Sequence, residues 1–86
     1  MKQVNAQTYG RYPVTFAKGE GSWLYEKSGE KYLDFLSGLA VNNLGHCHPA
    51  VVETAAKQVA TLIHTSNLYN LEEQQLLAEK LTDNSF

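Results

Sequence analysis

Three donors able to ligate a metal or serve in nucleophilic chemistry stand in a row at His46, Cys47 and His48, in a loop that also carries Gly38, Asn42, Asn43 and Gly45. Structural zinc takes four such ligands, and catalytic zinc takes three with one position open. Successive residues of an extended segment point to opposite sides, and the only other His or Cys is His64. The run is therefore short of ligands, and no metal site is expected. As a nucleophile Cys47 would need a base held beside it, a geometry that sequence neighbours seldom reach. The expectation is an inert, partly buried thiol. A plainer role for His48 is to cap a helix opened by Pro49, with Gly45 allowing a tight approach of backbone.

The remaining candidates read as structure. Gly19-Glu20-Gly21 is too short for a nucleotide fingerprint, which needs a strand before it and a helix after it; it reads as a turn. The lysines Lys2, Lys18, Lys27, Lys31, Lys57 and Lys80 all lie in polar company, whereas an imine-forming lysine needs apolar surroundings that lower its pKa. No catalytic residue is expected within these 86 residues. The segment "HTSNLYN" offers Thr65, Ser66, Asn67 and Tyr69, either as a connector with two caps or as donors to a ligand or a neighbouring subunit.

The elements that must position these residues follow from the pattern. Residues 1–12 are polar and aperiodic and read as an arm. Pro13 to Ala17 is a short β-like run closed by Lys18-Gly19-Glu20-Gly21. "SWLYEKSGEKYLDF" reads as a β-hairpin turning at Lys27-Ser28-Gly29-Glu30, where Gly29 can take positive φ. After the loop, Val52, Ala55, Ala56, Val59, Leu62 and Ile63 recur at helical spacing over about four turns. A second, shorter helix carries Leu76, Leu77 and Leu81 to about Thr82, with Asn70 and Glu73 as its N-cap pair. The fold class is α+β: hairpin, loop, two helices. One hairpin is too little sheet to cover both helices, so they need a further surface, and the chain reads as cut at Phe86.

The totals agree. Folding alone would bury about 5,300 Å² of apolar surface, contributing ~130 kcal/mol. Ordering the chain costs about as much. A net charge of −2 without a basic stripe gives no nucleic-acid footprint. One cysteine suits a reducing compartment. With no run of about 18 apolar residues and no apolar stretch at the start, neither a membrane span nor a signal peptide is indicated, and the expected location is cytoplasmic.

The pieces "KGEGSWLY", "GEKYLDFLSG", "AVNNLGHCHP" and "LIHTSNLY", in this order and spacing, resemble the N-terminal stretch of class III, pyridoxal-phosphate-dependent aminotransferases. The resemblance runs from about Tyr9 to Leu81. It implies that residues 13–86 are the small-domain and interface segment of a fold-type I (α/β) enzyme whose large cofactor-binding domain is absent here. It further implies pyridoxal 5'-phosphate as cofactor, a homodimer partner, and amino transfer to 2-oxoglutarate from N-acetylornithine, ornithine or another ω-amino acid. By position in the matching motifs, Leu39 would line the substrate pocket and Tyr12 would face the substrate. Ser66 and Asn67 would lie near the dimer interface and the neighbouring subunit's cofactor. The family's phosphate-binding turn and imine-forming lysine have no counterpart in these residues, so this stretch alone is expected to hold no cofactor. Two other readings compete: a free-standing interaction module, which would melt cooperatively by itself, and a small zinc-bound domain, which would lose structure on chelation.

Overall fold

A computed structural model describes residues 2–85. The chain divides after Glu53 into two units. The first contains a three-stranded antiparallel sheet in the order β1 (Phe16–Glu20), β2 (Trp23–Glu26), β3 (Lys31–Leu33). The hairpin read from the sequence is β2–β3, with Trp23 opposite Leu33 and Tyr25 opposite Lys31. Its turn has Gly29 at φ +97, a conformation that costs glycine nothing and other residues strain.

Two expectations are corrected at β1. Lys18-Gly19-Glu20 is not a turn: the strand runs through it, with Gly19 opposite Leu24 and Glu20 opposite Trp23. Only Gly21 and Ser22 remain for the connection, with Gly21 at φ +58. The sheet is thus a three-strand meander rather than one hairpin, with a bulge between Phe16 and Lys18. Side-chain alternation sorts its faces. Lys18, Trp23, Tyr25 and Lys31 share one, where Lys31 Nζ lies 3.9 Å from the centre of the Trp23 ring and Lys18 Nζ 4.9 Å from that of Tyr25. Gly19, Leu24 and Tyr32 share the other, where Phe16 meets Tyr32 edge to face at 5.5 Å.

The helical elements are α1 (Ser37–Ala40), α2 (Pro49–Val59) and α3 (Glu72–Asp83). Helix α2 begins as read: His48 Nδ1 accepts the Ala50 N–H at 3.2 Å and its carbonyl accepts that of Val52, while Pro49 has no N–H to leave unpaired. It stops short of Leu62 and Ile63. The Thr61 N–H bonds Gln58 at i−3, tightening the last turn, and the side chains of Thr61 and Gln58 bond the carbonyls of Lys57 and Leu62.

Helix α3 is the longer of the two, at 12 residues against 11. The Asn70–Glu73 capping pair does not form. The cap position falls on Leu71, in extended conformation and without a side-chain bond, so Glu73 stands one position too early for a capping box. Glu72 and Glu73 in the first turn and Lys80 in the last still suit the helix dipole.

Among the described residues none is buried, and large apolar side chains such as Phe35 and Leu68 are about nine-tenths exposed. Both longer helices present apolar residues without burying any, as expected of helices that need a further surface. No helix among the described residues is long and apolar enough to cross a membrane.

Candidate functional site

The first unit gathers its polar groups at the end of β3. Asp34 follows Tyr32 by two residues and projects from the same face of the sheet. Its Oδ1 accepts the N–H groups of Leu36 at 2.9 Å and Ser37 at 3.0 Å, a turn that short acidic side chains favour. Its Oδ2 lies 2.6 Å from His46 Nε2. An ionised carboxylate only accepts, so Nε2 carries the proton between them. The Asp34 and His46 side chains are 7% and 17% exposed, in a unit with no buried residue.

The backbone of His46 is fixed as well. Its N–H and carbonyl exchange bonds with Gly21 at 2.8 and 3.0 Å, an isolated bridge that joins the β1–β2 turn to the loop. Two glycines make this approach possible. A Cβ on Gly45 would stand 3.1 Å from Gly21 Cα and O. One on Gly19 would stand 2.8 Å from His46 Cβ and Cγ.

Between Asp34 and His46 the chain does something rare. Ser37, Gly38, Leu39 and Ala40 all have φ between 57 and 65, so α1 is one turn of left-handed helix. Only Gly38 is suited to it. The other three each cost roughly 1–2 kcal/mol, about 3–6 kcal/mol together. Strain of this kind persists only where the surroundings over-determine it. Here the Ser37 N–H is tied to Asp34, the Ser37 carbonyl accepts the Val41 and Asn42 N–H groups at 2.8 and 3.0 Å, and Asn42 accepts the N–H of Gly45. The turn carries Leu39, 77% exposed. A small hollow of ≈ 130 Å³ is lined by Ser22, Asp34, Ser37, Asn42, Asn43 and His46 among others.

Hydrogen bonds from Ser37 and then His46 hold the Asp34 carboxyl below its ordinary value of 3.8. The sign follows from linkage. A carboxylate whose folded pKa is depressed adds stability that is complete above its unfolded pKa and is lost as pH falls through the folded one. The Ser37 amide signal is therefore expected to shift at a lower pH than it would beside an unpaired carboxylate. Asp34→Asn should remove that acid transition.

The residues singled out from sequence are only partly brought together. Leu39 stands on the turn, but Tyr12 lies in the arm, 91% exposed, and neither lines the loop's hollows. Ser66 and Asn67 belong to the second unit. Ser66 is at φ +81, and its Oγ accepts the N–H of Leu68. Asn67 lines a hollow with Asn70 and Gln74 at the start of α3. Between the two helices Thr65 Oγ1 is shielded from solvent without a partner among the described residues. Cys47 is exposed rather than partly buried, and it stands at φ +53 just before the His48 cap. Among the described residues no three His, Cys, Asp or Glu side chains converge as a metal site.

Sequence reasoning treated His46 only as a possible ligand and missed Asp34 and Gly19. Two signals were available: a glycine inside a strand marks close approach, and an aspartate at a strand end starts a turn.

Comparison with known proteins follows the same stretch. The family model for class-III aminotransferases matches residues 4–86. An acetylornithine aminotransferase from Nitrosomonas europaea is 57% identical over 75 residues, covering 87% of this chain and 19% of that protein. The crystal structure of an acetylornithine aminotransferase from Elizabethkingia anophelis superposes with a TM-score of 0.87 at 35% identity, over 91% of this chain and 20% of the other. An ornithine δ-aminotransferase from Plasmodium falciparum gives 0.86 at 29% identity, with the same coverage. The chain spans about a fifth of the length of the curated relatives it matches.

Proposed function

The chain belongs to the class-III aminotransferases, and we propose that it is the N-terminal share of a cytoplasmic, homodimeric enzyme that moves an amino group from N-acetylornithine to 2-oxoglutarate. The curated relatives at 48–57% identity carry the name acetylornithine aminotransferase. Ornithine as donor is the second reading, favoured by the ornithine aminotransferases among the structural relatives.

The observation that carries the proposal is the strained turn that holds Leu39 exposed. Strain kept at a surface loop is characteristic of sites that touch a ligand. Leu39 serves as a wall of the donor pocket and Tyr12 faces the substrate from the arm. Ser66 and Asn67 lie toward the dimer partner and its cofactor.

Pyridoxal phosphate, the group this chemistry uses, supplies an electron sink when bound to a lysine. The residues here do not fit that role. Neither hollow of the loop is lined by a lysine, and Lys18 and Lys31 are engaged with aromatic rings on the other face of the sheet. The share of this chain is to shape the pocket and select the donor.

Exchanging the matching segment of the Nitrosomonas europaea relative for residues 4–86 tests this. The graft is expected to transaminate N-acetylornithine with kcat/KM within about tenfold of the parent. A folded but inactive graft, or an 86-residue chain that melts cooperatively as a monomer, would favour the interaction module instead.

A further inference from the structure

We infer that Asp34 and His46 are positioning residues for donor selection: their paired side chains lock the turn Ser37–Ala40 in the left-handed conformation that presents Leu39 to the substrate. The inference rests on the reading of Leu39 as a pocket wall.

Neither side chain needs to touch the donor. Asp34 has both carboxylate oxygens committed, Oδ1 to the two N–H groups that open the turn and Oδ2 to His46. His46 is itself held from two sides, by its backbone bridge to Gly21 and by the bare Cα of Gly19 beneath its ring. The chain of contacts therefore runs from the sheet through His46 and Asp34 to the first residue of the turn. Leaving the left-handed region relieves strain in Ser37, Leu39 and Ala40, so the turn reverts unless something opposes it. The bonds of Asp34 to Leu36 and Ser37 fix the entry into the turn. Those from Val41 and Asn42 to the Ser37 carbonyl fix its exit, but they depend on the orientation of Ser37, which Asp34 sets. Removing Asp34 frees the turn, and Leu39 is no longer held where an acyl substituent would meet it.

The experiment is done in the full-length graft. It reads kcat/KM for N-acetylornithine divided by kcat/KM for ornithine, with kcat and the melting midpoint as separate readouts. Asp34→Ala is expected to lower the ratio about tenfold, the low end of what a lost apolar contact does to discrimination, mainly through KM for the acylated donor. Asp34→Asn should keep the ratio, because the amide oxygen can accept both N–H groups and the amide nitrogen can donate to the other tautomer of His46.

Adding Ala40→Gly to Asp34→Ala should recover part of the ratio, since glycine lowers the cost of the left-handed turn. A purely structural pair would give no such rescue. Where the alanine variant does not fold, Asp34→Ser, which keeps an acceptor near Ser37 but does not reach His46, carries the same expectation at smaller size. A lower melting midpoint with an unchanged ratio would overturn the inference. The control is Leu39→Trp. If it moves the ratio and Asp34→Ala does not, positioning fails alone; if Leu39→Trp leaves it untouched, the pocket reading fails first.

Discussion

Replacing Gly19 with alanine is expected to destabilise the grafted enzyme by about 1–3 kcal/mol, the usual cost of forcing a methyl group into occupied space, and to part His46 from Asp34. The methyl would stand 2.8 Å from both Cβ and Cγ of His46. Those atoms are the root of the side chain and cannot swing clear as a flexible end could. The imidazole must move, but its backbone is pinned by the exchange of bonds with Gly21, so the ring rotates away and its 2.6 Å contact with Asp34 opens. Gly19 is not at positive φ, so the effect owes nothing to backbone strain. Gly10→Ala, whose Cβ would meet nothing within 4 Å, is the control and should be close to neutral. A shift in the denaturation midpoint, together with loss of the His46–Asp34 signature in the imidazole resonances, would bear this out. A Gly19→Ala variant within about 0.5 kcal/mol of the parent, the range of an ordinary surface change, would mean that the ring does not rest on that glycine.

Gly19 also shows where the sequence could be read and where it could not. The β2–β3 hairpin was legible because local chemistry decides it: Gly29 supplies the turn and the flanking residues alternate. The start of α2 was legible for a similar reason, since Pro49 can open a helix but not continue one. "KGEG" was misread because two glycines in four residues signal a turn by composition, whereas one of them is bare to admit a ring from 27 positions later in the chain. A contact between Gly19 and His46 leaves no periodicity. The left-handed turn was equally hidden. Only Gly38 hints at positive φ, and propensity argues against Ser37, Leu39 and Ala40 following it. What overrides propensity is Asp34, acting through the two N–H groups it accepts. The motif resemblance names Leu39 without any of this, because it matches residue order rather than conformation, and so it passes over Asp34 and His46.

Leu39→Trp should then show the largest effect on activity. In the graft, kcat/KM for N-acetylornithine is expected to fall at least about tenfold, or ~1.4 kcal/mol of transition-state stabilisation, while the smaller donor ornithine is affected less. The reasoning is steric and uses the strain. Leucine and tryptophan both carry a Cβ and lack branching there, so at φ +65 they meet similar backbone costs and the turn should survive the exchange. The residue is 77% exposed, so most of the added indole is expected to extend into the space outside the unit. If that outward space is the donor pocket, the indole occupies the room of the acyl group, and the loss appears in the acylated donor first. Leu39→Ala provides the opposite change: it empties the same space and should raise the relative rate with bulkier acyl donors. Equal losses with both donors would place Leu39 against the part of the substrate they share. An unchanged kcat/KM for N-acetylornithine in the tryptophan variant, with the melting midpoint preserved, would remove Leu39 from the pocket altogether and leave the strained turn to be explained by a contact with another part of the enzyme.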